Sequence, residues 1–256
     1  MNFVSICAQT TEAPRVKYTS DTQTVTQCKL LVPPVGNKAP TAIELNIYGQ
    51  AQEGFRAMVT QANQLLYIHG AKLRHDLEAR EHTLHGGIVT VVTTDFPILN
   101  TVILSGRTIK DIDPTNKMQF KTTDGGFMIA NQTLSVNTGK NKADLFNFYA
   151  INKQEDRLRN AELICNFTGK GKGLTIQGRL VTDSWTDEAT GAERTATKIQ
   201  VQQMTLGPKT EAPAAPAQQE EKPQGTVVKA PAMAGATSAP APSLWGGKVA
   251  DDDQPF

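Results

Sequence analysis

The chain has 256 residues, with 26 Lys and Arg against 25 Asp and Glu, so a formal net charge of +1 gives no global signature of a polyanion binder. Cys7, Cys28 and Cys165 lie far apart and form no CxxC pair, a sparse, odd set that fits buried thiols in a reducing compartment better than a disulfide framework. No run approaches the ~20 apolar residues that span a bilayer, and residues 1–14 lack the basic-then-apolar order of a secretory signal, so the expected location is cytoplasmic.

Taken in order, residues 3–7, 26–32, 41–48, 65–70 and 87–93 are short runs rich in β-branched and other apolar side chains, which predict strands. Between the third and fourth, residues 52–63 place Phe55, Met58 and Val59 on one face of a predicted helix. The second part repeats the order. Strands are expected at 100–106, 128–136, 145–151, 173–185 and 195–206, with a helix at 153–164, again between the third and fourth. Residues 101–206 hold 14 basic and 11 acidic side chains, so this is the basic part of the chain; residues 207–256 hold 4 and 6. From residue 208 the composition shifts to Ala, Pro, Gln, Gly and Ser, which cannot bury enough apolar surface to offset the entropy of ordering it.

The expected class is therefore mainly β: two tandem OB-folds, each a five-stranded Greek-key barrel with one helix, then a disordered tail. The expected boundaries are 1–95, 97–207, a linker over 208–250 and a terminal peptide over 251–256. Strand alternation divides 145–151 into an inner set, Phe146, Phe148 and Ala150, and an outer set that presents Tyr149. The same alternation puts Arg179 and Trp185 on one face of the next strand, opposite Leu174, Ile176 and Leu180. Cations and aromatics on one face suit a nucleic-acid single strand, because rings stack on any base while cations follow phosphates.

The residues also carry a family likeness. The run 99–107 (LNTVILSGR), the third strand 145–153 (LFNFYAINK) and the fourth strand 178–185 (GRLVTDSW) with its hairpin resemble the bacterial single-stranded DNA-binding proteins. Residues 14–18 and 43–49 give a weaker match in the first repeat, and the acidic end of the chain resembles that family's partner-recruiting tail. The resemblance implies sequence-independent binding of single-stranded DNA in replication, recombination and repair. It implies DNA contacts from Trp185, Tyr149, Phe120, Arg179, Lys117, Lys121, Tyr18, Tyr48 and Lys17. It further implies recruitment of replication and repair proteins through Asp251, Asp252, Asp253, Pro255 and Phe256, and a homodimer that assembles four OB-folds. The tail's acidity is expected to compete with DNA for the basic face.

The sequence also departs from the family. Leu145 and Ile151 stand where the third strand usually carries Trp and Phe; Ala42 and Tyr48 occupy the corresponding positions of the first repeat, and Leu77 lies near the usual fourth-strand Trp. Glu44 falls on the presumed ligand face, where it repels phosphate. The first repeat is thus expected to bind weakly and to serve assembly, and a 97–207 fragment to bind better than a 1–95 fragment. No catalytic residue, metal, cofactor or membrane contact is expected. His82 and His85 lack the further ligands of a metal site, and the glycine-rich turn 169–173 lacks Walker spacing. Two rival readings are an OB-fold adaptor with weak DNA binding and an RNA-binding OB protein, which the 2′-OH alone would distinguish.

Overall fold

The computed structural model describes residues 1–19, 23–76, 81–93, 99–140, 142–187 and 190–207. The expected linker and terminal peptide, and Leu77, lie outside the described residues. The first repeat consists of β1 (Asn2–Thr10), β2 (Arg15–Tyr18), β3 (Thr24–Val32), β4 (Thr41–Tyr48), α1 (Ala51–Met58), β5 (Leu65–Asp76), β6 (Glu81–His85) and β7 (Ile88–Val91). The second consists of β8 (Asn100–Thr108), β9 (Phe120–Thr122), β10 (Phe127–Gly139), β11 (Lys142–Lys153), α2 (Asn160–Phe167), β12 (Gly173–Thr186) and β13 (Glu193–Leu206).

In each repeat the ladders return to their starting strand. The first ring runs β1–β3–β4–β6–β5 and back to β1; the second runs β8–β10–β11–β13–β12 and back to β8. Closing the ring leaves few strand edges within each repeat. Alternate residues point inward as the pleat requires. Phe146 and Phe148 are 0 % and 1 % exposed, as their alternation predicts, and each stabilises the fold by roughly 1.5–3 kcal/mol through burial.

One ladder then joins the repeats. β1 pairs antiparallel with β8, from Asn2 opposite Leu104 to Ile6 opposite Asn100, so 13 strands belong to one continuous sheet. The apolar core is continuous as well: Val4 and Ile6 belong to the same cluster as Val102 and Leu104. Polar contacts reinforce the junction. Arg74 Nε donates to Asp144 Oδ2 at 2.6 Å, the His75 backbone N–H donates to the same oxygen, and the His82 ring packs against Phe146 at 5.9 Å.

The helices differ from expectation. α1 ends at Met58 rather than Asn63, because Val59 turns extended and Gln64 Oε1 accepts the Thr60 and Gln61 N–H groups. Asn63 itself has φ +63°. α2 begins at Asn160, not residue 153. β11 continues to Lys153, whose N–H donates to Asp156 Oδ2 at 2.7 Å, and the charged stretch that follows has no apolar stripe to bury. The helix starts where the buried Ala161 and Ile164 supply one, with the Ala161 N–H held by Asn152 Oδ1 at 2.7 Å.

The fifth strand of the first ring also differs. Residues 87–93 do not close it; β6, a polar run whose only buried residue is Leu84, pairs with β4 and β5, while β7 pairs with β5 alone. Together β6 and β7 perform the role of the unbroken β13. Gly86 and Gly87, at φ +67° and +98°, make the break, and a Cβ on Gly87 would meet the Ala71 backbone nitrogen at 3.0 Å.

Candidate nucleic-acid interface

The outer face of the second repeat is assembled by ladder register, since residues opposite one another share a face. Across β10, β11, β13 and β12 runs the row Asn131, Tyr149, Gln200, Arg179. Beside it lies the row Lys121, Ile129, Ile151 across β9, β10 and β11, and then the pair Phe127 and Lys153. At the far end of β12, Trp185 stands opposite Arg194.

Each group has a definite environment. Trp185 is 49 % exposed, a large apolar ring left open to solvent. Phe127 is 38 % exposed, with Lys153 Nζ 4.9 Å above its ring centroid. Arg179 has its Nε buried, and this atom has no hydrogen-bond partner among the described residues. Tyr149 is on the outer face as alternation requires but is only 9 % exposed, enclosed within its row. Burial, helped by the Asp183 carboxylate and opposed by Arg179, pushes its hydroxyl up to about 12, so it stays a protonated donor. Next to this face is an open cleft of about 320 Å³, whose lining includes Lys110, Lys117, Lys121 and Lys198 around Asn131 and Asn147. Four ammonium groups around one groove attract a polyanion.

The first repeat has the same ladder geometry with different side chains. Leu45 sits beside Leu84 across β4 and β6, as Phe148 sits beside Ile199 across β11 and β13. With these positions matched, the row Asn131, Tyr149, Gln200, Arg179 corresponds to Gln27, Asn46, His85, Lys72. Here the polar groups engage each other. Gln27 Nε2 donates to Glu44 Oε1 at 2.8 Å and to Asn46 Oδ1 at 3.0 Å. Tyr48 stacks on His85 at 5.5 Å, with its hydroxyl 3.2 Å from the ring Nδ1. Its hydroxyl is pushed up by burial and by Glu44, while burial and Arg74 push His85 down. Lys29 is tied to Glu12 at 3.2 Å, as is Arg15 at 2.8 Å. Tyr18 is 74 % exposed at the sheet edge, with Lys17 beside it.

The structure thus brings Arg179 and Tyr149 together, places Lys117 and Lys121 on one cleft and leaves Trp185 open. Tyr18, Tyr48 and Lys17 belong to the other repeat. Phe120 is placed differently from expectation: it pairs with Ala130, an inward position, and packs against the core. Phe127 takes the outward aromatic position in that hairpin. The sequence reading missed it by starting the strand one residue late, at 128; it also missed Lys110, Lys153 and Lys198, whose proximity to the face comes only from pairing. Among the described residues, no group of three His, Cys, Asp or Glu could hold a metal ion, and no helix is long and apolar enough to cross a membrane.

Comparison with known proteins gives a consistent result. Residues 99–206 match the single-strand binding protein family. Over 108 residues the chain is 31 % identical to Single-stranded DNA-binding protein 1 of Nostoc sp., covering 42 % of this chain and 82 % of that protein. The Single-stranded DNA-binding protein of Anabaena variabilis matches with the same identity and coverage. Among solved structures, the wild-type single-stranded DNA-binding protein from Thermus aquaticus is similar in fold, with a TM-score of 0.60 at 20 % identity, covering 84 % of this chain and 97 % of its own. A deletion variant of the same protein matches with a TM-score of 0.62 at 19 % identity, over 84 % of this chain and 98 % of its own.

Proposed function

The chain belongs to the single-strand binding protein family, and from that premise we propose that it coats single-stranded DNA without sequence preference, chiefly through the outer face of its second repeat. The observation that carries this reading is the conjunction of the open Trp185 ring, the row that sets Arg179 beside Tyr149 and the four-lysine cleft on one closed barrel. In this mechanism bases stack on Trp185 and Phe127, each stacked base contributing on the order of 1–3 kcal/mol. Lys110, Lys117, Lys121 and Lys198 neutralise phosphates and release counterions, so binding weakens steeply with salt. Arg179 donates to a phosphate or base edge, and the Tyr149 hydroxyl, held protonated, donates beside it. Nothing in this scheme reads base identity, because every base has a face to stack and every nucleotide a phosphate. It requires no reaction chemistry: the protein binds and does not catalyse.

Both closed rings are OB-folds on this reading, over residues 1–95 and 97–207, and they differ in task. The first repeat binds weakly and supports assembly; two chains in a homodimer then offer four barrels to one strand. On this reading residues 208–250 connect the second repeat to Asp251, Asp252, Asp253, Pro255 and Phe256, which recruit replication and repair proteins in the cytoplasm, at the nucleoid. The Phe256 ring close to Asp251, Asp252 and Asp253 supports that role, as a set of groups that a basic-rimmed pocket captures.

A fluorescence titration with oligo(dT) at two salt concentrations tests the reading. Wild type binds tightly, loses affinity with salt and shows tryptophan quenching; Trp185→Ala loses most of the quenching and binds more weakly. Absence of binding at low salt would favour an adaptor whose barrels only assemble. Equal competition by oligo(U) would extend the ligand to RNA.

A further inference from the structure

The connection between β3 and β4, residues 33–40, is long and carries Pro33, Pro34 and Pro40. The matching connection of the second repeat is a short hairpin in which Gly139 pairs with Lys142. The long loop does not stay on its own barrel. Ala39 forms an antiparallel bridge with Thr182 of β12, and Thr182 Oγ1 donates to Thr41 Oγ1 at 2.9 Å. Lys38 Nζ donates to Asp183 Oδ1 at 2.7 Å. Three contacts at adjacent positions fix the loop of one repeat onto a ligand-face strand of the other.

Asp183 is the unexpected member of that face. By alternation it sits on the same side of β12 as Arg179 and Trp185. Its Oδ2 is 3.6 Å from Lys198 Nζ, one of the cleft lysines, and its charge helps push the Tyr149 hydroxyl up. An uncompensated carboxylate there would repel phosphate and hold Lys198 to itself. The first repeat supplies the compensation. Lys38 makes the shorter of the two contacts, and the Ala39 bridge fixes the backbone beside it.

We propose that Lys38 of the first repeat is a positioning residue for single-stranded DNA binding by the second: it holds Asp183 and offsets its charge, so that Lys198, 3.6 Å from the same carboxylate, keeps its attraction for phosphates in the cleft. This inference rests on the single-stranded DNA reading of the face. It gives the weakly binding repeat a direct part in the affinity of its neighbour.

The test is an oligo(dT) titration of the full chain at low salt, with Lys38→Ala, Lys38→Arg, Asp183→Asn and the double variant Lys38→Ala/Asp183→Asn. Lys38→Ala binds roughly two- to fivefold more weakly than wild type, the range of an exposed ion pair. Lys38→Arg restores affinity, Asp183→Asn binds more tightly than wild type, and the double variant recovers the loss of Lys38→Ala. Unchanged affinity in Lys38→Ala overturns the proposal. A double variant as weak as Lys38→Ala also overturns it, because Lys38 would then touch phosphate itself or merely brace the loop, which both variants release. If wild type fails to bind, the DNA reading falls and this inference with it; if wild type binds and the variants all match it, only the inference falls.

Discussion

The two repeats share a ladder register, yet their outer faces differ in what they leave unsatisfied. In the first, Gln27, Glu44 and Asn46 hydrogen-bond one another, Tyr48 is stacked on His85, and Lys29 and Arg15 are paired with Glu12. In the second, the matching row holds an arginine whose Nε lacks a partner among the described residues, and Trp185 and Phe127 are open at its margins. Where donors and rings are already engaged a ligand gains little, because each new contact replaces an old one; Tyr18, at the sheet edge, is the open exception. A matching ladder register therefore does not make two identical faces. The difference lies in which side chains the pairing brings together.

The largest effect that sharpens this comparison is stacking. Trp185→Ala costs about 1–3 kcal/mol of single-stranded DNA affinity, whereas Tyr48→Ala, which removes a ring already stacked on histidine, costs well under about 1 kcal/mol. Titrations of the two variants against one oligonucleotide measure the gap, and similar losses would break the comparison. Salt dependence comes next. Each phosphate contact contributes about 0.7 to the slope of log affinity against log salt for single strands, so Lys117→Ala/Lys121→Ala lowers that slope by about 1.4. Lys17→Ala/Lys72→Ala in the first repeat lowers it by less, and an equal drop would place the phosphate track on both barrels.

Acid acts on the seam between the repeats. Burial, and then the neighbouring His75, push His82 from its ordinary 6.5 down to about 4. The unfolded chain thus binds this proton at a higher pH than the native one does. The stabilisation is present above pH 6.5 and is lost as pH falls towards 4. Acidification from pH 7 to pH 5 should reduce stability by on the order of 1–2 kcal/mol through this group, and His82→Gln should flatten that part of the profile. Thermal unfolding at a series of pH values checks it; a profile identical to wild type would remove His82 from the account. The smallest effect is electrostatic. Glu44→Gln removes the carboxylate from the first repeat's face and should raise DNA affinity by a few tenths of a kcal/mol, most visibly at low salt.

Much of this was legible in the sequence. The strand–helix order, the inward Phe146 and Phe148 and the shared face of Arg179 and Trp185 follow from period-2 alternation and residue type. Alternation is a local rule, so it holds without knowledge of the partner strand. What it could not supply was pairing. Phe120 lies between Lys117 and Lys121 in sequence, but its ladder partner is Ala130, which turns it inward. Phe127 follows a glycine pair and reads as turn until β10 pairs with β11. The helix at 160–167 depends on two buried apolar residues, Ala161 and Ile164, too few to mark its start against the charged run before it. The β1–β8 ladder was invisible for the same reason, and it changes how the repeats are compared. Cutting the chain between them would expose two strand edges and a shared core, so substitutions in the full chain isolate each face better than 1–95 and 97–207 fragments do.

Ultraviolet crosslinking of the full chain to oligo(dT), followed by peptide mapping, tests most directly whether the second repeat holds the strand. The account predicts crosslinks at Trp185, Phe127 and Tyr149, with few at Tyr18 or Tyr48. Crosslinks at Tyr18 and Tyr48 equal to those at Trp185 would contradict it and make the two faces equal partners in binding.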